Sequence, residues 1–397
     1  MLAPARAPVE RSLTSRAQRP LRFTRPPDRS RRVRRVAAIA ATICLVPALV
    51  SYLGAITGPS NATLGIKSVE WLRDNGARGL VNQIESIYYS LNGPSTGGPP
   101  LHALPRQAGI LPGLGQSLHR PVRAYYQPPP IQPLIHPALP GEGVWHATFA
   151  GAHGHPPVLV TSFRSDPTYP QMVAGVAWID QRQTSTWLYP GRLEPSVSLP
   201  SRGPLEVPPR LRSKLVATFN SGFKLTDSGG GFAEGGRTYA RLRPGMATIV
   251  RYRDGHVDVI SWRGGPNIGP TVMYARQNLP LIVDHGRANP NLSDGPEWGA
   301  TLGNAIRVWR SAVGVDRQGN LIYAAANDQT VGSLAAIMLR AGAVRAMELD
   351  INTYWTSFIS YRYPGARDPA NLLGNMDRSP LRYLTPDDRD FFAVYLR

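Results

Sequence analysis

The sequence predicts an α+β fold dominated by β-sheet, carried behind a single membrane-spanning helix. Three observations lead there. From Val144 onward, short runs rich in β-branched and aromatic residues alternate with Gly, Pro, Asn and Asp, the pattern of many short strands. Only Val331–Ala341 carries apolar residues at helical spacing in the second half, and Gly342 stands where such a helix stops. Near the amino terminus, Val36 to Ile56 holds no charged residue and would run about 31 Å as a helix, close to the hydrocarbon thickness of a bilayer.

In order, residues 1–35 hold 11 of the 44 basic side chains and 2 of the 26 acidic ones, so half of the +18 excess sits in an Arg- and Pro-rich tail. This tail reads as a disordered cytoplasmic segment. Its basic end (Arg31 to Arg35) before the apolar span 36–56 predicts a cytoplasmic amino terminus and an extracytoplasmic body. The span is read as an uncleaved anchor, since it is long for a secretory signal and no small-x-small cleavage site follows. Nucleic acid is excluded as a partner, because no zinc spacing, recognition helix or aromatic RNA-binding motif accompanies the charge. Cys44 is the one cysteine, so no intramolecular disulfide forms.

Residues 57–92 show apolar residues at helical intervals, broken by Asn75-Gly76 and Gly79. They predict two short juxtamembrane helices, read first as a spacer, with the lipid surface and the main domain as the other resting places. Residues 93–143 are dense in Pro and Gly and read as an extended, semi-rigid linker. The body then occupies 144–397, with strand runs such as PVLVTSFR, MVAGVAWID, KLVATFNSGF, NLIYAAAND and FFAVYLR. Tyr252-Arg253-Asp254-Gly255-His256 reads as a hairpin turn.

Five places could carry chemistry. Ala343 to Tyr363 reads as a buried strand ending at Glu348 and Asp350, with Asn352 just beyond; a strand end fixes the backbone while the side chain faces a crevice. Asn220 closes another strand ahead of the glycine-rich stretch 229–236, a place for an anion or a sugar hydroxyl, or a plain hairpin. Asp284-His285 ends a third as a proton-transfer pair, a metal ligand or a turn. Arg310 opens a fourth, where its fork matches two phosphate oxygens or a surface carboxylate. Asp328 ends a fifth, as a crevice carboxylate or a turn. No Cys/His zinc array, HExxH or nucleophile elbow is present.

Taken in order, Asn220 to Phe223, Leu281 to Gly286, Arg310 to Val315, Leu321 to Asp328, Gly332 to Ala343 and Ala346 to Asn352 resemble the motif series of the phosphodiester glycosidase family. The resemblance covers roughly 210–363. It implies a sheet-rich α+β fold with a pocket for a sugar joined through phosphate, Arg310 and Asn220 holding the phosphate. Asp350, with either Asp328 or Glu348, would share the acid and base work, and Asn352, Asp284 and His285 would lie at the substrate. No cofactor is called for, and a divalent cation would be compatible. One departure stands out: where the family has Asp-Gly-Gly-Gly-Ser, this chain has Asp350-Ile351-Asn352-Thr353-Tyr354. It implies a changed substrate geometry or the loss of hydrolysis. The expected function is a membrane-anchored extracytoplasmic hydrolase of a sugar phosphodiester or related envelope glycan. The alternative is a non-catalytic glycan- or phosphate-binding module using Tyr354, Trp355 and Tyr361 as platforms.

Overall fold

The computed structural model describes residues 29–91, 93–94, 96–97, 101–111, 126–151, 155–293, 295–299 and 306–397; most of the basic tail lies outside them. Two units are distinguished, Met1–Gly54 and Ala55–Arg397. The described part of the first is most of helix α1 (Arg29–Thr57). Its stretch Ser30–Thr57 is the one helix, among the described residues, long and apolar enough to cross a membrane, as either an anchor or a signal sequence would be. Pro47 sits inside it.

The second unit opens with a helical pair, α2 (Leu64–Leu72) and α3 (Arg78–Leu91). Thr63 caps α2 by accepting from the Ile66 N–H. Between them Gly76 takes a left-handed φ of 91°, a conformation that costs glycine nothing and reverses the chain.

Three antiparallel sheets follow. The largest has eight strands in the order His146–Ala147, Val158–Arg164, Val173–Ile179, Leu321–Gln329, Val308–Val315, Arg345–Glu348, Leu281–Asp284 and Arg287–Ala288. A five-stranded sheet runs Arg237–Ala240, Phe232–Glu234, Val272–Gln277, Ala247–Tyr252 and Val257–Ser261. The other runs Arg367–Asn371, Phe358–Tyr363, Leu215–Asn220, Phe391–Leu396 and Thr184–Tyr189. Among the described residues, the one α-helix within this body longer than the four-residue turn α4 (Leu225–Ser228) is α5 (Val331–Arg340). Thr330 and Ser333 close a reciprocal capping box at its start.

Two strands of the large sheet, Val308–Val315 and Val158–Arg164, are buried at every position. That follows from two cores, one on each face. Val160, Val313 and Tyr323 meet Ile249 and Phe232 of the second sheet and Phe219, Phe358 and Phe392 of the third. On the other face, Phe163, Trp178 and Ile322 pack under Leu334, Ile337 and Met338 of α5. The described parts of the Pro-rich region lie against this body. Ile131 is buried in the α5-side core, and Arg164 donates to the carbonyls of Ile135 and Pro137, both at 2.9 Å. Apolar side chains among the prolines gain burial by wrapping the domain, which proline permits because packing needs no N–H donor.

Candidate active site

The strand Arg345–Glu348 runs out into Leu349-Asp350, and the Asp350 N–H is held by the Ser221 carbonyl at 3.0 Å. Ser311 Oγ donates to the Asp350 carbonyl at 2.7 Å, and Asn220 Nδ2 donates to Ser311 Oγ at 3.0 Å. Asn220 Oδ1 in turn accepts from Tyr323 Oη and the Ser357 N–H. With Nδ2 also on the Ser221 carbonyl, its amide has no capacity left for substrate. Asn220 therefore fixes the backbone around Asp350 and does not hold phosphate.

Asp350 itself is buried, one carboxylate oxygen on Arg389 Nη2 and the other accepting the Ile351 N–H at 3.0 Å. Burial pushes its carboxyl up to about 7 against the pull of Arg389. Arg389 lies over Trp355, 5.1 Å from the ring centre, and its Nε has no hydrogen-bond partner among the described residues. Ser221 Oγ and Asn278 Oδ1 are likewise without one, and Asn278 packs on Gly222, where a Cβ would come within 3.1 Å of its amide carbon. Of the three, Arg389 borders a cavity, where a buried polar atom left open is a candidate contact for a ligand.

That cavity measures about 160 Å³ and is lined by Asp350, Asn352, Trp355, Arg389, Phe223 and Lys224 from the body. Glu70, Arg73, Arg78 and Asn82 of the helical pair form its outer wall. Glu70 meets Lys224 Nζ at 2.6 Å and Arg73 at 3.2 Å. Burial works against its charge, but Lys224 first and Arg389 next hold its carboxyl below the usual range. At the other edge Arg78 pairs with Asp227 at 3.1 Å.

The other expected residues fall elsewhere. Strand alternation puts Arg310 and Ser311 on opposite faces of the large sheet. Arg310 points to the α5 side, where it meets Glu348 Oε1 at 2.5 Å and the carbonyls of Gln329 (2.9 Å) and Trp298 (2.8 Å). It is a buried structural clamp with no face toward the mouth. Glu348 is fully buried, and burial raises its carboxyl to about 7 despite Arg310. Asp328 lines a separate cavity with Tyr169, Gln171 and Asn375, its carboxyl raised by burial. Asp284, the last residue of its strand and paired with Arg287, and His285 in the turn that follows have side chains more than two-fifths exposed and 3.1 Å apart, as a plain hairpin would have them. Asn220, Arg310, Asp328 and Asp350 thus do not converge at one mouth.

Asn352 does reach it, in a left-handed conformation (φ 87°). It occupies a position where the family motif has glycine, and Asn is the side chain that best tolerates that φ. Its Oδ1 accepts from the Tyr354 N–H at 2.7 Å. The aromatic shelf is not open: Tyr361 is buried on Thr218, and Trp355 lies beneath Arg378, Arg382 and Arg389. Among the described residues no group of three His, Cys, Asp or Glu is placed to hold a metal ion.

A strand-rich α+β body with a buried Asp–Arg pair at a cationic mouth is the class defined so far. The model of the phosphodiester glycosidase family (NAGPA) matches residues 213–350, ending on Asp350 itself. Among solved structures, the chain is similar to the zebrafish N-acetylglucosamine-1-phosphodiester alpha-N-acetylglucosaminidase catalytic domain auto-inhibited by pro-peptide. That match has 16% identity and a TM-score of 0.40, over 64% of this chain and 88% of that one. A hypothetical protein from Synechocystis matches at 14% identity and a TM-score of 0.34, over 64% of this chain and 62% of that one. No curated protein gives a significant match.

Proposed function

We propose that the chain is a membrane-anchored, extracytoplasmic hydrolase of a sugar phosphodiester or related envelope glycan, working at the Asp350 mouth. The observation that carries the reading is the Asp350–Arg389 pair, buried at a cavity with Lys224. Lys224 and Arg389 receive the phosphate in place of Glu70. Asp350, once ionised, takes a proton from water as the water oxygen bonds to the anomeric carbon. The C1–O bond breaks and its electron pair stays on the phosphate oxygen. A phosphate monoester is a good leaving group and needs little protonation, so one carboxylate with two cations to stabilise the departing charge is enough.

The cavity is smaller than the roughly 300–1,000 Å³ of typical small-molecule sites, because the α2–α3 wall fills its outer side. A glycosyl phosphate enters as Glu70 leaves Lys224. The test is hydrolysis of a panel of chromogenic sugar-1-phosphodiesters by the full chain and by Asp350→Asn. Release of the free sugar by the wild type alone supports the proposal; equal rates in the two, or no turnover across the panel, overturn it.

A further inference from the structure

Helix α3 has two faces of different chemistry. Arg78 and Asn82 line the mouth, Val81 is buried, and Glu85 meets Arg73 at 2.5 Å. The opposite face carries Leu80, Ile84, Ile87, Tyr88 and Leu91. Spacings of four, three, one and three put all five on one side of a helix. They are between 56 and 80% exposed. Contiguous apolar patches of this kind mark sites of interaction on folded proteins.

The chain itself indicates what covers the stripe. Six residues separate Thr57, the end of α1, from Leu64, so α2 starts within roughly 25 Å of that end by chain length alone. Lys67 Nζ donates to the carbonyls of Ile56 (3.1 Å) and Gly58 (3.0 Å), tying α2 to the residues around Thr57. Aliphatic side chains with a tyrosine on one face, and Arg78 and Glu85 on the other, match a helix that lies in a lipid interface.

We propose that α3 seats in the bilayer interface through this stripe, and that the Asp350 mouth on its inner face therefore takes glycosyl phosphodiesters carried on a lipid. The first half rests on α1 being a membrane anchor, the second on the hydrolase reading above. One helix diameter, about 10 Å, separates the two faces of α3. The phosphate of a lipid-linked sugar then meets Lys224 and Arg389 near headgroup depth while its tail stays in the membrane.

The test uses the full chain in nanodiscs of phosphatidylcholine and phosphatidylglycerol, with Cys44→Ala as background. Nitroxide labels go on Ile84→Cys and Leu91→Cys, and on Gly269→Cys in an open loop with no atom near its Cβ position. Collision with oxygen should exceed collision with a nickel chelate at 84 and 91, and the order should reverse at 269. Water-like behaviour at 84 and 91, or spin–spin broadening between copies there, overturns the membrane seat. For the substrate, the wild type should turn over a long-chain glycosyl phosphodiester at least tenfold faster than a short soluble one. The Ile84→Asp, Leu91→Asp double variant should lose that preference and keep its soluble turnover. Equal wild-type rates overturn the lipid-substrate half. No turnover of either compound sinks the hydrolase reading and the substrate half with it, while the spin labels still decide where α3 lies.

Discussion

A carboxyl group raised to about 7 changes charge within the neutral range, so Asp350 is poised to take up and release a proton during turnover. Asp350→Asn should lower kcat by about 10²–10⁴-fold. Wild-type activity should climb as pH rises through about 7, because the proton-accepting form is the ionised one; a rate flat from pH 5 to 8 would remove Asp350 from that role. Arg310 makes the contrasting case. Above about pH 7, where Glu348 is ionised, Arg310→Ala leaves a buried carboxylate without its counter-charge, a loss of about 3–5 kcal/mol. It should move the urea midpoint strongly downward, with KM for the folded fraction unchanged. A raised KM at unchanged stability would return Arg310 to the role of phosphate clamp. Asp350 was legible in the sequence because an apolar alternation ending in a carboxylate places it at a strand end. Arg310 was misread because its partner is set by which sheet face α5 covers. Arg389 went unnoticed in Asp387-Asp388-Arg389-Asp390, a run that reads as solvated. The fold buries it by giving each member a counter-charge: Arg382, Arg192, Asp350 and Arg276 respectively.

At the scale of elements, the strands were mostly visible, and those that were not have physical reasons. Phe232–Glu234 and Arg237–Ala240 are three and four residues long around Gly235-Gly236, so the glycine-rich stretch is a hairpin in the second sheet. Arg367–Asn371 contains Pro369 and lies at a sheet edge, where a missing N–H is tolerated. What periodicity could not give is where an amphipathic helix docks. Ala62, just ahead of α2, and Ile66 within it sit against Trp355, and Glu70 of α2 occupies Lys224. In Glu70→Gln the contact keeps a hydrogen bond to Lys224 but loses the ion pair, which weakens it. KM should fall about tenfold and inorganic phosphate should inhibit more strongly, with kcat little changed. An unchanged KM would mean that Glu70 does not compete with substrate for the cations.

For the whole molecule, buried carboxyl groups of two kinds set opposite limits on stability. Asp350, Glu348 and Glu234 are each raised to about 7, chiefly by burial, from ordinary values of 3.8, 4.5 and 4.5. Such groups favour the folded state fully below their unfolded values, and that contribution is lost as pH climbs toward 7. Glu70 and Asp387 lie on the other side. Burial opposes their charge, but Lys224 and Arg382 respectively hold them below the ordinary range. Their contribution is present above about 4 and disappears as pH falls through the lowered values. The two trends cross, so stability should peak near pH 4–5 and decline steadily to pH 7, below the pH at which the proposed chemistry is fastest. Denaturant titrations of the full chain in detergent at half-unit pH steps would trace the curve. Glu348→Gln removes one of the three raised groups and should flatten the fall between pH 5 and 7 without shifting the acid limb. A slope unaltered by that substitution would mean that the Glu348–Arg310 pair stays ionised throughout and that burial does not govern the group.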